Sequence, residues 1–271
     1  MTNRTKTPVK PVTKPYLTGN ITDGNTLKAA LIFFGSMVLS AFMSFLVCSM
    51  TGGIGSTILR IVINTAVIGL VLLIFFNNGG NRGTEAVTKG EILYQQQERG
   101  TAVTDADRAV CFHKMKGFIT GLLGVLPFLI CAIVLALTAK RQSTGAGALP
   151  GWLDIYKRRT EVGDALAAYT AAAPMTLTDI LRIIIRIAVM PFVTMVGTEN
   201  REGMLLLERI SPALFLLPAA AYGIGWMQGP KLRARVHTEI ASNNRKRLRK
   251  ERKARKARMA ARVPRGPEKL N

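Results

Sequence analysis

Residues 117–139 read GFITGLLGVLPFLICAIVLALTA and hold no charged group. The hydrocarbon core of a bilayer is about 30 Å thick, so roughly 20 apolar residues in a helix cross it, and nothing in this stretch opposes burial in lipid. Three further stretches meet the same test. Residues 27–50 carry only Lys28, at an edge from which a long side chain reaches the headgroups. Residues 54–76 carry only Arg60, and residues 210–228 carry no charge between Arg209 and Lys231, although Pro212 and Pro218 interrupt them. Prolines are tolerated in membrane helices whose freed carbonyls find other donors. Four separate runs of this kind argue against a large soluble helical core and for an all-α polytopic membrane protein with four full transmembrane helices.

A fifth run, 177–197, is ambiguous. Arg182 and Arg186 lie four apart and share one helical face, and each costs about 2.5–3.5 kcal/mol at a membrane centre. Thr176 and Asp179 have capping-box spacing, and Pro191 can kink the far half. The segment is interfacial, re-entrant or a fifth span. No cleavable secretory signal precedes the first run, which reads as an uncleaved signal anchor.

The chain carries 37 Lys plus Arg against 16 Asp plus Glu, a net charge of +21, yet its mean hydropathy is +0.22. The conflict resolves along the chain: residues 231–271 hold 16 basic and 3 acidic groups, a net +13, and the rest holds +8. An apolar body is joined to a basic tail, and disordered, collagenous and disulfide-rich classes are excluded. Cytoplasmic flanks of membrane proteins are rich in Lys and Arg. That rule puts the tail in the cytoplasm, and we expect a multi-pass protein of the cell (plasma) membrane. Four spans put the N-terminus inside with 27 basic residues on that side, and five put it outside with 24. The charge-free turn at 51–53 favours four.

Residues 1–26 read as a flexible polar arm, 27–228 as the membrane domain with polar loops at 77–116 and 140–176, and 229–271 as the basic tail. NNGGNRG at 77–83 is expected to break the second helix. Short helices are expected within 91–98 and after an N-cap at 104–107, and Trp152 and Tyr156 beside three basic residues suggest an interfacial helix.

Ser36, Ser40, Ser44 and Cys48 recur every four residues, and Gly117 with Gly121 has the same spacing. Such stripes let membrane helices approach closely, within one bundle or in a homo-oligomer. Charged groups at membrane depth are functional candidates, so Arg60, Arg182 and Arg186, with Asn64 one turn from Arg60, are candidate contacts for an anion or a lipid headgroup. Cys111 and His113 are too few for a metal site, no Gly-rich stretch has a phosphate-loop ending, and no catalytic or cofactor constellation is present. We expect a non-enzymatic protein.

The tail segment 245–262 reads RKRLRKERKARKARMAAR. Arg245, Lys246, Arg247, Arg249, Lys250, Arg252, Lys253, Arg255, Lys256 and Arg258 are its candidate electrostatic contacts, and their repulsion is expected to keep it largely unfolded until anions neutralise it. Anionic lipids of the bilayer or a protein partner fit this charge. Nucleic acid or a ribosome fits it by backbone contacts alone, because no aromatic residue is there to stack bases. A basic tail after a multi-span core is similar to membrane insertases of the ribosome-binding kind, from whose arrangement the tight first hairpin departs. The expected role is an accessory or scaffold subunit, with a small transporter or channel subunit for an anionic solute as the alternative.

Overall fold

The computed structural model describes residues 12–51, 53–139, 156, 159, 161–162, 176–197 and 200–262. These hold eight named helices: α1 (Thr26–Thr51), α2 (Thr57–Glu98), α3 (Asp105–Ala109), α4 (Lys116–Thr138), α5 (Leu177–Ala188), α6 (Met190–Val196), α7 (Arg201–Met227) and α8 (Gly229–Arg262). Four of them, α1, α2, α4 and α7, are long and apolar enough to cross a membrane. The expected interfacial helix around Trp152 and the first eleven residues lie outside the described residues.

At 42 residues, α2 is about 63 Å long, twice the hydrocarbon thickness. The expected break at 77–83 does not occur. Its glycines are a packing surface: a side-chain carbon at Gly79 would collide with the Tyr222 carbonyl, and one at Gly83 would stand 2.5 Å from the Trp226 carbonyl. From the other side, one at Gly225 would strike the Phe76 carbonyl and one at Gly229 would stand 2.5 Å from Gly83. The intrinsic cost of glycine in a helix, about 1 kcal/mol each, is offset by backbone-to-backbone contact. Contacts that advance together along both chains, from Phe76 with Gly225 to Gly83 with Gly229, make α2 and α7–α8 parallel neighbours.

α7 is the central helix, packed along α2 and α4, while α1 rests on α4 and meets α2 only sparsely. The core joins Phe33 and Met37 of α1, Phe75 of α2, Val125 and Leu135 of α4, and Phe215 and Tyr222 of α7. Neither proline breaks α7. Pro212 cannot donate to the Glu208 carbonyl four residues back, and the Ser211 hydroxyl donates to that oxygen instead, at 2.8 Å.

The fifth run is a helix, a bend and a second helix. Thr176 and Asp179 form the capping box that opens α5, and Val189 followed by Pro191 ends it. Val189 is buried at the depth of Phe215, whereas the end of α6 has returned to Gly203 and Arg60, near the starts of α7 and α2. The segment therefore enters and leaves at one end of the bundle, which we call distal. The other, proximal end carries both described termini, with Val12 N–H donating to Thr238 Oγ1 at 3.0 Å.

Residues 12–25, expected as part of a flexible arm, lie against the proximal structure. Leu17 N–H donates to the Gly90 carbonyl at 3.2 Å and Gly19 N–H to the Phe112 carbonyl at 3.0 Å. Tyr16, Val87, Phe112 and Trp226 form a second small core there. The glycine contact generates a paired expectation. Gly83→Leu should abolish a monodisperse fold in detergent, whereas Gly69→Ala, with nothing within 4 Å of its new methyl, should leave the unfolding temperature unchanged or raise it slightly. Size-exclusion profiles and thermal unfolding of the two variants check this.

Candidate functional site

The two arginines of α5 meet a carboxylate that lies outside every apolar run. Glu208 lies in α7 just ahead of the run beginning at Ile210 and is only 3% exposed. Its Oε1 accepts from Arg182 Nε at 2.8 Å and from Arg186 Nη2 at 2.6 Å, and Arg182 Nη1 also reaches Asp179 at 3.2 Å. Two positive and two negative groups thus share one cluster. Arg182 is buried beside Glu208 and Arg186 is partly covered, so the pair serves to fix α5 against α7, and its charge is met within the chain. A count of charges inside each run could not find Glu208; the capping box, which sets the phase of α5, and the search for a carboxylate just outside a run could.

Arg60 and Asn64 occupy a separate place, at the distal start of α2. Asn64 is fully buried and its Nδ2 donates to the Arg60 carbonyl at 2.8 Å and to Thr51 Oγ1 of α1 at 3.5 Å. Asn64 Oδ1 and Arg60 Nε are buried without a hydrogen-bond partner among the described residues, and the Arg60 guanidinium stands beside Gly197 at the C-terminal end of α6. The negative end of that short helix and the capping position suit a cation. The four candidate anion contacts therefore fall into two groups held by different neighbours. Cavities along the α1–α2 seam are lined by none of them.

The stripes differ among themselves. Gly117 packs on the Trp226 side chain and Gly121 on Ala219, both at the α4–α7 contact. Ser36 and Ser40 instead turn their hydroxyls back onto their own helix, donating to the Phe33 and Met37 carbonyls at 2.7 and 2.9 Å, and Ser36, Ser40 and Ser44 line the cavities of the seam.

At the proximal end the basic tail begins as a docked helix. Glu91, near the C-terminal end of α2 and 5% exposed, accepts from Arg233 Nε at 2.9 Å and lies 2.7 Å from His237 Nε2. Neither Glu91 nor His237 was distinguishable in sequence, because each stands alone in a polar stretch, 146 positions apart. The expectation of an unfolded segment is not met: α8 runs helical to Arg262. Its segment 245–262 is composed of good helix formers, α8 follows α7 after a single intervening residue, so it starts from a nucleus already formed, and Arg247 pairs with Glu251 one turn on at 3.0 Å. From Asn243 through Met259 its side chains are exposed, leaving the ten basic candidate contacts open to solvent.

The arm is clamped by a second buried pair. Lys116 Nζ donates to Asp23 Oδ2 at 2.7 Å and to the Ala109 carbonyl at 2.9 Å, and Thr26 Oγ1 donates to Asp23 Oδ1 at 2.6 Å. Burial works to raise the Asp23 pKa, but the hydrogen bonds from Lys116 and Thr26 and the Lys116 charge outweigh it and hold the carboxyl below the usual aspartate range. Cys111, also buried here, has its thiol pushed up by that burial, against the pull of Lys116 and Arg108. Among the described residues no group of three or more His, Cys, Asp or Glu side chains is placed to hold a metal ion.

No protein-family model, curated protein or solved structure matches the chain.

Two measurements follow from these pairs. Glu208→Gln should lower stability by about 3 kcal/mol by stranding two arginines against a neutral group, and Asp179→Asn, at the exposed edge of the cluster, should cost much less; thermal unfolding in detergent compares them. The depressed Asp23 pKa makes its contribution fully present above the unfolded value of about 3.9 and lost as pH falls through the lower folded value. Asp23→Asn should accordingly be less stable than wild type at pH 7 and show a flatter pH dependence below about 4.

Proposed function

We propose that the protein is an accessory or scaffold subunit of the cell membrane, with both termini in the cytoplasm, that holds a basic helix clear of the headgroups for a polyanionic partner. The observation that carries this reading is the Glu91 clamp. By fixing Arg233 and His237 to α2 beyond its apolar run, it aligns α8 with a helix already leaving the bilayer. Measured along the helix axes at about 1.5 Å per residue, Arg245 lies roughly 34 Å past the level of Phe76. Headgroups occupy only about 5–8 Å of that on one side, and a Debye length at physiological salt is about 8 Å. Its own bilayer is therefore a weak partner for 245–258.

The charge spacing supports the same reading. Ten basic residues in the fourteen positions 245–258 give one charge per roughly 2 Å of helix, close to the roughly 1.7 Å of duplex nucleic acid. The positive-inside rule supports a cytoplasmic location for this end. The transport alternative loses its main support, since Arg182 and Arg186 already share Glu208.

The test uses the full chain in nanodiscs and an RNA oligomer. Binding should weaken steeply with salt, disappear on truncation after Asn244, and change less than about twofold when anionic lipid is added to the disc. Strong suppression by that lipid would place the segment on its own membrane and sink the stand-off reading, and RNA binding that survives truncation would sink it equally.

A further inference from the structure

The sparse contact between α1 and α2 leaves a seam with two different halves. Its distal half is filled by α6, which touches both helices. Below the α5–α6 bend, at the depth of Met37 and Ala41 of α1 and Val71 and Leu72 of α2, lies an apolar cavity of about 70 Å³ closed at the back by Phe128. Toward the proximal end the seam widens into a cavity of about 380 Å³, within the size range of small-molecule sites. Its wall is mixed: Ala29, Ile32, Phe33 and Ser36 from α1 face Asn78, Asn81, Arg82 and Glu85 from α2, with Tyr222 from α7. Asn78 stands two residues past Phe76, the end of the apolar run, and Glu85 nine, so this mouth begins at the edge of the hydrocarbon layer and extends outward by roughly 14 Å at the level of the Glu85 backbone.

Two details indicate that the mouth is built for a ligand. Tyr222 is largely buried, with its ring held against Phe33 at 5.1 Å, and it lines the cavity. Arg82 and Glu85 face the same space as a loose pair, 3.5 Å apart and half exposed, so both charges remain open to a third group.

We propose that the proximal mouth of the α1–α2 seam binds the headgroup of one phospholipid with a primary-ammonium, zwitterionic headgroup, the phosphodiester at Arg82 and Asn78 and the ammonium at Glu85 and the Tyr222 hydroxyl. A glycerol headgroup satisfies Arg82 through its phosphodiester but brings only neutral hydroxyls to Glu85, whose charge stays unmet. A choline headgroup brings a positive charge but no N–H to donate. The ammonium headgroup alone meets both charges with hydrogen bonds.

The chain is purified in mild detergent, exchanged into equimolar phosphatidylethanolamine, phosphatidylcholine and phosphatidylglycerol, and its retained lipid is identified by native mass spectrometry. We expect the ethanolamine lipid to be retained about tenfold over each of the others. Glu85→Gln should erase its preference over the choline lipid, and Arg82→Gln should lower retention of all three lipids, which share the phosphodiester. Both positions are exposed, so the variants keep the fold, which the unfolding temperature verifies. Soluble glycerophosphoethanolamine at millimolar concentration should leave the lipid in place; displacement would assign the mouth to a soluble zwitterion and overturn the lipid. Equal retention of the three lipids, or a preference unchanged in Glu85→Gln, would also overturn it.

Discussion

Backbone contact between α2 and α7–α8 is the constraint on which the rest of the architecture depends. Lipid supplies no hydrophobic drive between helices, so the bundle needs places where main chains meet, and Gly79, Gly83, Gly225 and Gly229 provide one long seam of them. Because α2 is held to a partner that itself continues through Gln228 into α8, it has a surface to follow past the membrane and stays helical to Glu98. α1, by contrast, meets α2 only sparsely, as where Phe33 touches Phe75. The open seam between those two helices is thus the geometric counterpart of the closed one, and α6 fills only its distal half.

The arginine charge of α5 is handled by pairing. Two arginines on one face of α5 would prevent that helix from entering lipid unless a carboxylate met them, and Glu208 does so from α7 at 2.8 and 2.6 Å. A buried ion pair contributes little net stability over well-packed apolar residues, but losing one partner is costly. The cluster therefore acts chiefly as a register device: it permits α5 to enter at one depth against α7 and no other. Ile185 and Val189, which enter the core from α5 and its bend, then pack at the level set by the arginines.

How much of this could be read from the chain depends on the range of the interaction involved. The four spans were legible because each is a local property, apolar length without charge, and the capping box of α5 was legible because its two residues are three apart. The re-entrant path was only one of three readings, since its choice rests on Glu208, 22 residues beyond Arg186. The glycine run was misread for a physical reason. Gly79 and Gly83 weaken an isolated helix, and only a neighbouring backbone at van der Waals distance turns that weakness into an interface. The arm failed the same way, because Asp23 meets Lys116 across 93 positions, and composition alone sees a Thr-, Pro- and Lys-rich segment. Of the candidate residues, Arg182 and Arg186 were found without their partner, while Asn78, Arg82, Glu85 and Tyr222 gave no signal, being ordinary polar residues until α1 and α2 part.

The +21 charge that dominates the composition is distributed by this architecture into groups with different tasks. Arg182 and Arg186 are cancelled within the bundle, Lys116 is cancelled by Asp23, and Arg233 is held by Glu91. What remains uncompensated is concentrated in 245–258, where one acidic residue, Glu251, meets Arg247 and the other charges face solvent. A flexible tail of the same charge would fold back onto the nearest anionic surface, which is the bilayer it leaves. Clamping its first turns to α2 removes that option at the cost of fixing the helix direction. In the proposed reading the clamp converts a nonspecific attraction for lipid into a charge displayed at a set distance, which the length of α2 beyond its apolar run sets.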